Sequence, residues 1–111
     1  MEEEVVLCGA SCYTKKYYLN EIFDRLPTMV KDELKIMCVL YTEEVGGVLT
    51  LFFDEDGNLE FRTTCEENDM LYDEIGAVLK IKQIRNEKQD FFEALEMYYR
   101  VFILGIDEED L

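Results

Sequence analysis

Apolar residues recur with a period of two at Leu49, Leu51 and Phe53, and again at Leu59 and Phe61. This period of two marks strands with one buried face. Between the runs lies Asp54-Glu55-Asp56-Gly57-Asn58. A three-residue loop, Glu55-Asp56-Gly57, is a type I turn followed by a left-handed residue, and glycine takes that conformation at little cost. This register opposes Phe53 to Leu59 and Leu51 to Phe61, so all four share a face with Leu49. A two-residue loop at Asp56-Gly57 would oppose Phe53 to Glu60 and Leu51 to Arg62, and is rejected. The stretch Gly46 to Thr64 is therefore expected to be a β-hairpin. It needs a covering of helices, because an isolated hairpin is marginal in water.

Upstream, Val5, Val6 and Leu7 predict a short strand from Glu3 to Cys8, followed by a loop over Cys8 to Cys12. Lys16 to Leu19 predicts a second strand that completes a small N-terminal hairpin. A helix starting at Tyr13 fits less well, since Tyr13 and Tyr17 would face away from Ile22 and Leu26. Asn20 suits the N-cap of a short helix ending near Leu26, with Ile22, Phe23 and Leu26 inward. Pro27 suits the first turn of the next helix. There Val30, Leu34, Met37, Cys38 and Tyr41 form one helical stripe. Every residue from Ile36 to Tyr41 is apolar, so that half is expected to be buried nearly all round. Gly46-Gly47 ends this central helix.

Downstream, Asn68 or Asp69 is expected to cap a helix with the stripe Leu71, Ile75, Val78 and Leu79. A second stripe runs through Ile84, Phe91, Phe92, Leu95, Tyr98, Tyr99, Phe102 and Ile103. On one ideal helix the two stripes lie about 160° apart. One straight helix would have to be sandwiched between two layers. A bend near Arg85-Asn86 is simpler, and Asn86 to Gln89 has the form of a capping box. Gly105 closes the last helix, and the acidic tail 107–111 is expected to fray. The fold class is α+β, an antiparallel sheet built on the central hairpin and packed by a buried central helix and a bent pair of C-terminal helices. The 111 residues are expected to form a single domain, 1–111.

Composition changes this picture in one respect. The chain carries 26 acidic residues against 11 basic ones, a formal charge of −15. Its long-range field repels phosphate, which disfavours direct nucleic-acid or anionic-membrane binding and favours a basic protein partner. The plainer reading is that acid keeps a small domain soluble. No apolar run approaches the ~18 residues of a membrane span. The start, Met-Glu-Glu-Glu, is the opposite of a signal peptide's basic start, so a cytoplasmic setting with reduced cysteines is expected.

Chemistry is sparse. Histidine is absent, which removes the commonest general base and zinc ligand and any Ser–His or Cys–His pair within one chain. Cys8 and Cys12 have a tolerable zinc spacing, but Cys38 lies on a buried stripe and Cys65 ends a strand, with no second close pair. Cys8 and Cys12, if near the surface, could respond to oxidation. Asp54, Asp56 and Asn58 resemble the start of a calcium loop, yet Leu59 and Cys65 stand where glycine and glutamate are needed. No glycine-rich phosphate loop follows Gly46-Gly47. No catalytic residue, metal or cofactor is assigned.

Three features point instead to association. Glu66, Glu67, Asp69, Asp73 and Glu74 cluster after the hairpin, where they cap a helix and solvate a face, or form a docking patch for a basic partner. Lys80, Lys82, Arg85 and Lys88 run against the general charge. They either pair locally with the acidic helix start or meet the acidic face of another copy. Tyr13, Tyr17, Tyr18, Tyr98 and Tyr99 cannot all face one core, so some belong at a rim or interface.

The stretches KYYLNEIFDRLP, ELKIMCVLYTEEVGG, FDEDGNLEF, LYDEIGAVLKIKQI and ALEMYYRVF resemble a family of small acidic bacterial proteins of unknown function, from about Val5 to Gly105. The resemblance is of whole segments, and it implies one domain and no particular activity. The leading expectation is a non-enzymatic interaction module that binds a protein partner or itself, as a homodimer. The rivals are an acidic inhibitor, immunity-type protein or nucleic-acid mimic that binds a basic partner, and an enzyme built on carboxylates and tyrosine.

Overall fold

A computed structural model describes residues 4–106. The expected acidic tail, 107–111, lies outside the described residues. The chain runs β1 (Val5–Ser11), β2 (Lys16–Leu19), a 3-10 turn (Glu21–Phe23), α1 (Thr28–Val45), β3 (Val48–Phe53), β4 (Leu59–Thr64), α2 (Glu74–Glu87) and α3 (Gln89–Tyr98), and ends in a π-helical turn (Tyr99–Ile103). The strands form one antiparallel sheet in the order β2-β1-β3-β4. The fold class is the expected α+β arrangement.

The central hairpin has the register its pattern dictates. Phe53 faces Leu59 and Leu51 faces Phe61. Asp54 and Asn58 close the loop through Asp54 N–H to Asn58 C=O (2.9 Å), and the Gly57 N–H returns to Asp54 C=O (3.0 Å). Gly57 takes φ +84°, the left-handed position of this turn. The Asp54 carboxylate accepts from the amides of Asp56 and Asn58 and from Asn58 Nδ2, so the Asp54 and Asn58 side chains close the turn on each other. Burial alone would raise the Asp54 pKa, but the bonds from Asn58, Asp56 and Gly57 hold it below the usual carboxylate range.

The N-terminal hairpin is also present, but β1 is longer than expected. Cys8 to Ser11 is strand rather than loop, because β1 lies between β2 and β3 and both neighbours supply hydrogen-bond partners. A bulge between Val6 and Cys8 turns Leu7 and Cys8, adjacent in sequence, both into the interior. Cys8 is therefore fully buried, which corrects the expectation that it responds to oxidation near the surface.

The interior face of the sheet carries Cys8, Ala10, Leu49, Leu51, Phe53 and Leu59 against Leu34, Met37, Cys38 and Tyr41 of α1. Cys8 Sγ and Cys38 Sγ are 3.8 Å apart and reduced. The hydrogen bond with Cys8, and then burial, push the Cys38 thiol well above its ordinary value. Phe53 stacks on Tyr99 with ring centroids 4.1 Å apart and planes 5° from parallel. Tyr98 is left half-buried beside Phe102, so the adjacent tyrosines divide between core and rim.

Helix α1 begins just after Pro27, whose carbonyl accepts from Val30 and Lys31. Leu34, Met37, Cys38 and Tyr41 of its stripe are buried and Val30 partly so, but Ile36 (56% exposed) and Leu40 (49%) are not, which corrects the reading of an all-round buried half. The sheet covers one side of α1 and α2 lies along its flank, which leaves Ile36 and Leu40 on the uncovered side. Asn20 caps the 3-10 turn by accepting from the Ile22 amide; Phe23 and Leu26 point inward while Ile22 stays exposed.

The bend between the C-terminal helices exists, but it falls at Lys88 (φ −119°, ψ 26°) rather than at Arg85-Asn86, and no capping box forms there. The cap of α2 is Asp73, not Asn68 or Asp69, with its carboxylate accepting from Gly76 N–H at 2.9 Å. Asn68 instead takes φ +76° in the connection from β4.

Candidate functional site

Helix α2 fills 14 positions and buries only Ala77 and Ile84. These, with Lys80, Ile81 and Lys88, fall on the side turned to α1 and the sheet. Lys80 Nζ pairs with Glu44 of α1 at 2.9 Å, and Lys88 pairs with Glu33 of α1, so α2 lies along α1 and is clamped at its middle and at its C-terminal end. Arg85 lies over the Phe61 ring at 4.9 Å. The basic segment thus bonds to α1 and β4, not to the acidic start of α2 as its nearest local reading had it. Lys82 makes no ion pair among the described residues.

The consequence is an inversion of the expected face. Ile75 is 76% exposed, Val78 59% and Leu79 61%, and Leu71 and Met70 in the preceding connection are almost fully exposed. The stripe read as core is the outward stripe. The bend at Lys88 does not turn it inward, because the sheet-facing side of the pair is already filled by Ile84, Phe92, Leu95 and Tyr99. The warning in the sequence was the opposition of the two stripes, which only a second layer over α2 would reconcile.

At the N-terminal end of α2 the connections β1–β2, α1–β3 and β4–α2 meet. Cys12 N–H bonds to Gly47 C=O at 2.9 Å, and Cys12 Sγ accepts from Gly47 N–H. The Tyr13 hydroxyl donates to Asp69 Oδ2 at 2.5 Å and accepts from Glu66 N–H at 3.0 Å. That bond with Asp69 is the main reason the Tyr13 hydroxyl is pushed up to about 12, and it also holds Asp69 below the usual carboxylate range. Tyr72 packs over Gly47 and beside the buried Tyr41 hydroxyl. Burial first, and Tyr72 second, raise Tyr41. A shallow depression of about 640 Å³ opens here, walled by Cys12, Tyr13, Glu67, Asp69 and Tyr72.

The five acids singled out from sequence therefore separate. Asp69 latches Tyr13 and accepts from Leu71 N–H, and Asp73 caps α2, so both are spent on the fold. Glu66, Glu67 and Glu74 are exposed, and their side chains make no hydrogen bond or ion pair among the described residues. Sequence reasoning missed Tyr13 as the tie that holds the acidic connection; no local periodicity signals a contact across so long a separation.

Among the described residues no three Cys, Asp or Glu side chains converge on a metal position. Cys8 lies against Cys38 of α1, so it forms no pair with Cys12. No described helix is long and apolar enough to cross a membrane.

No curated protein matches the chain, and no solved structure does. One family model matches residues 4–107, nearly the whole length, and its description assigns no activity. The chain belongs to the Family of unknown function (DUF6145).

Proposed function

We propose that this domain is a non-enzymatic protein-interaction module whose contact surface is the outward face of α2. The observation that carries the reading is the exposure of Ile75, Val78 and Leu79 at helical spacing, on a helix with only two buried residues. A contiguous apolar face of this kind is a docking surface more readily than a solvated one. Charging it is the direct test. The double variant Ile75→Asp/Leu79→Asp removes no buried contact, so it should melt with the wild type. It should lose the associations the wild type makes, read by crosslinking and by capture of bound proteins. Retention of every association at wild-type strength defeats the reading.

Glu66, Glu67 and Glu74 favour a second reading, an acidic inhibitor of a basic partner. Unpaired carboxylates at one end of the molecule, in a field of charge −15, attract such a protein at long range. Asp69 and Asp73 flank that patch but are held by the fold. Reversal of Glu66, Glu67 and Glu74 to lysine should abolish a salt-sensitive complex; a complex indifferent to that reversal rules the acidic patch out.

A further inference from the structure

We propose that the occupant of the outward α2 face is the same face of a second copy of this chain, packed antiparallel about a two-fold axis at Val78. This rests on the interaction-module reading and names its partner. The argument is the charge order along one helix. Glu74 lies four residues before Val78 and Lys82 four residues after it, about 6 Å along the axis in either direction. A two-fold through Val78 reverses one helix on the other and sets Lys82 of each copy level with Glu74 of its partner. Neither side chain makes an ion pair among the described residues.

The apolar centre follows the same symmetry. Val78 meets itself, with Ile75 and Leu79 on either side, and an isologous contact requires such self-complementarity. Leu71 and Met70, exposed just before the helix, extend the apolar surface toward the rim. A stable interface covers about 800 Å² on each partner, with an apolar core and a polar rim. The other bases of the segment are already committed to Glu44, Glu33 and Phe61, so Lys82 alone is left to read a partner. A basic surface would answer Glu74 but leave Lys82 without a counter-charge beside the apolar centre. The reversed copy meets it with Glu74.

The test is sedimentation of the full chain across concentration and salt. The wild type should sediment as a dimer, and Val78→Asp as a folded monomer. Lys82→Glu should weaken the dimer about tenfold, since it sets like charges together twice in one interface. Adding Glu74→Lys to Lys82→Glu should restore the dimer, a rescue that a merely structural role would not give. Two chains of charge −15 repel, so the dimer should hold or tighten as salt rises, whereas a complex with a basic protein loosens. A wild type that stays monomeric at all concentrations overturns the proposal, as does a dimer indifferent to Val78→Asp. If the monomeric wild type still captures another protein through Ile75 and Leu79, self-pairing has failed and the module reading stands.

Discussion

Gly57 shows how much one residue can decide. Its φ of +84° is strained for any side chain, and a Cβ there would come within 2.8 Å of Arg100 Cγ. Arg100 itself holds the turn by donating to Asp56 C=O at 3.2 Å and Asn58 Oδ1 at 2.7 Å. Gly57→Ala should cost about 1 kcal/mol or more in a denaturant titration, and shift the turn amides in NMR spectra. At Tyr13 the Asp69 bond raises the hydroxyl and lowers the carboxylate. Its contribution is complete between the ordinary carboxylate value, 3.8, and the ordinary phenol value, 10.0. It is lost as pH falls through the depressed Asp69 value, and again as pH rises from 10.0 toward about 12. An NMR titration of the Tyr13 ring should show a midpoint near 12, and Asp69→Asn should return it toward 10.0. An unchanged midpoint in the variant would refute the latch.

Among the elements, the strands and α1 share one core and α2 stands partly outside it. Phe53→Ala removes the ring stacked on Tyr99 and should cost about 3–5 kcal/mol, measured by chemical unfolding. Ile84→Ala, on the buried side of α2, should cost about 2–5 kcal/mol. Ile75→Asp, on the other side of the same helix, should move monomer stability by no more than about 0.5 kcal/mol. The contrast checks the orientation of α2: a core-facing Ile75 would make its variant the more damaging of the two. The last strand is tied to α3 by Glu96, whose carboxylate accepts from Leu59 N–H at 2.7 Å, so Glu96→Ala should loosen β4 at its first residue.

At the scale of the molecule, the charge of −15 works against compactness. Three ion pairs form among the described residues: Arg62 with Glu4, Lys80 with Glu44 and Lys88 with Glu33. All three are at least partly exposed, so each adds little. Self-repulsion of the remaining acid is expected to outweigh them, so the melting temperature should rise as salt goes from about 10 mM to about 0.3 M. A melting temperature that falls with salt would show that the ion pairs matter more than the repulsion.

Local pattern is enough to set the α+β class, the central hairpin with its register and turn, the N-terminal hairpin, the buried stripe of α1 and the division of the C-terminal segment into two helices. These are legible because each follows from local periodicity and turn chemistry: Leu51 and Phe53 alternate, Gly57 takes positive φ, and Leu34, Met37 and Tyr41 recur at the helical period. Which face of α2 is covered depends on packing across the whole molecule. Ile75, Val78 and Leu79 carry a stripe as apolar as that of α1, but the sheet has one interior face, and α1 and α3 fill it. The same physics places Cys8 in the core, through a bulge and two flanking strands that no local pattern announces. It also divides the acidic cluster into Asp69 and Asp73, held by the fold, and Glu66, Glu67 and Glu74, left to solvent. Periodicity fixes which residues share a face, whereas the supply of partner surface fixes whether that face is buried.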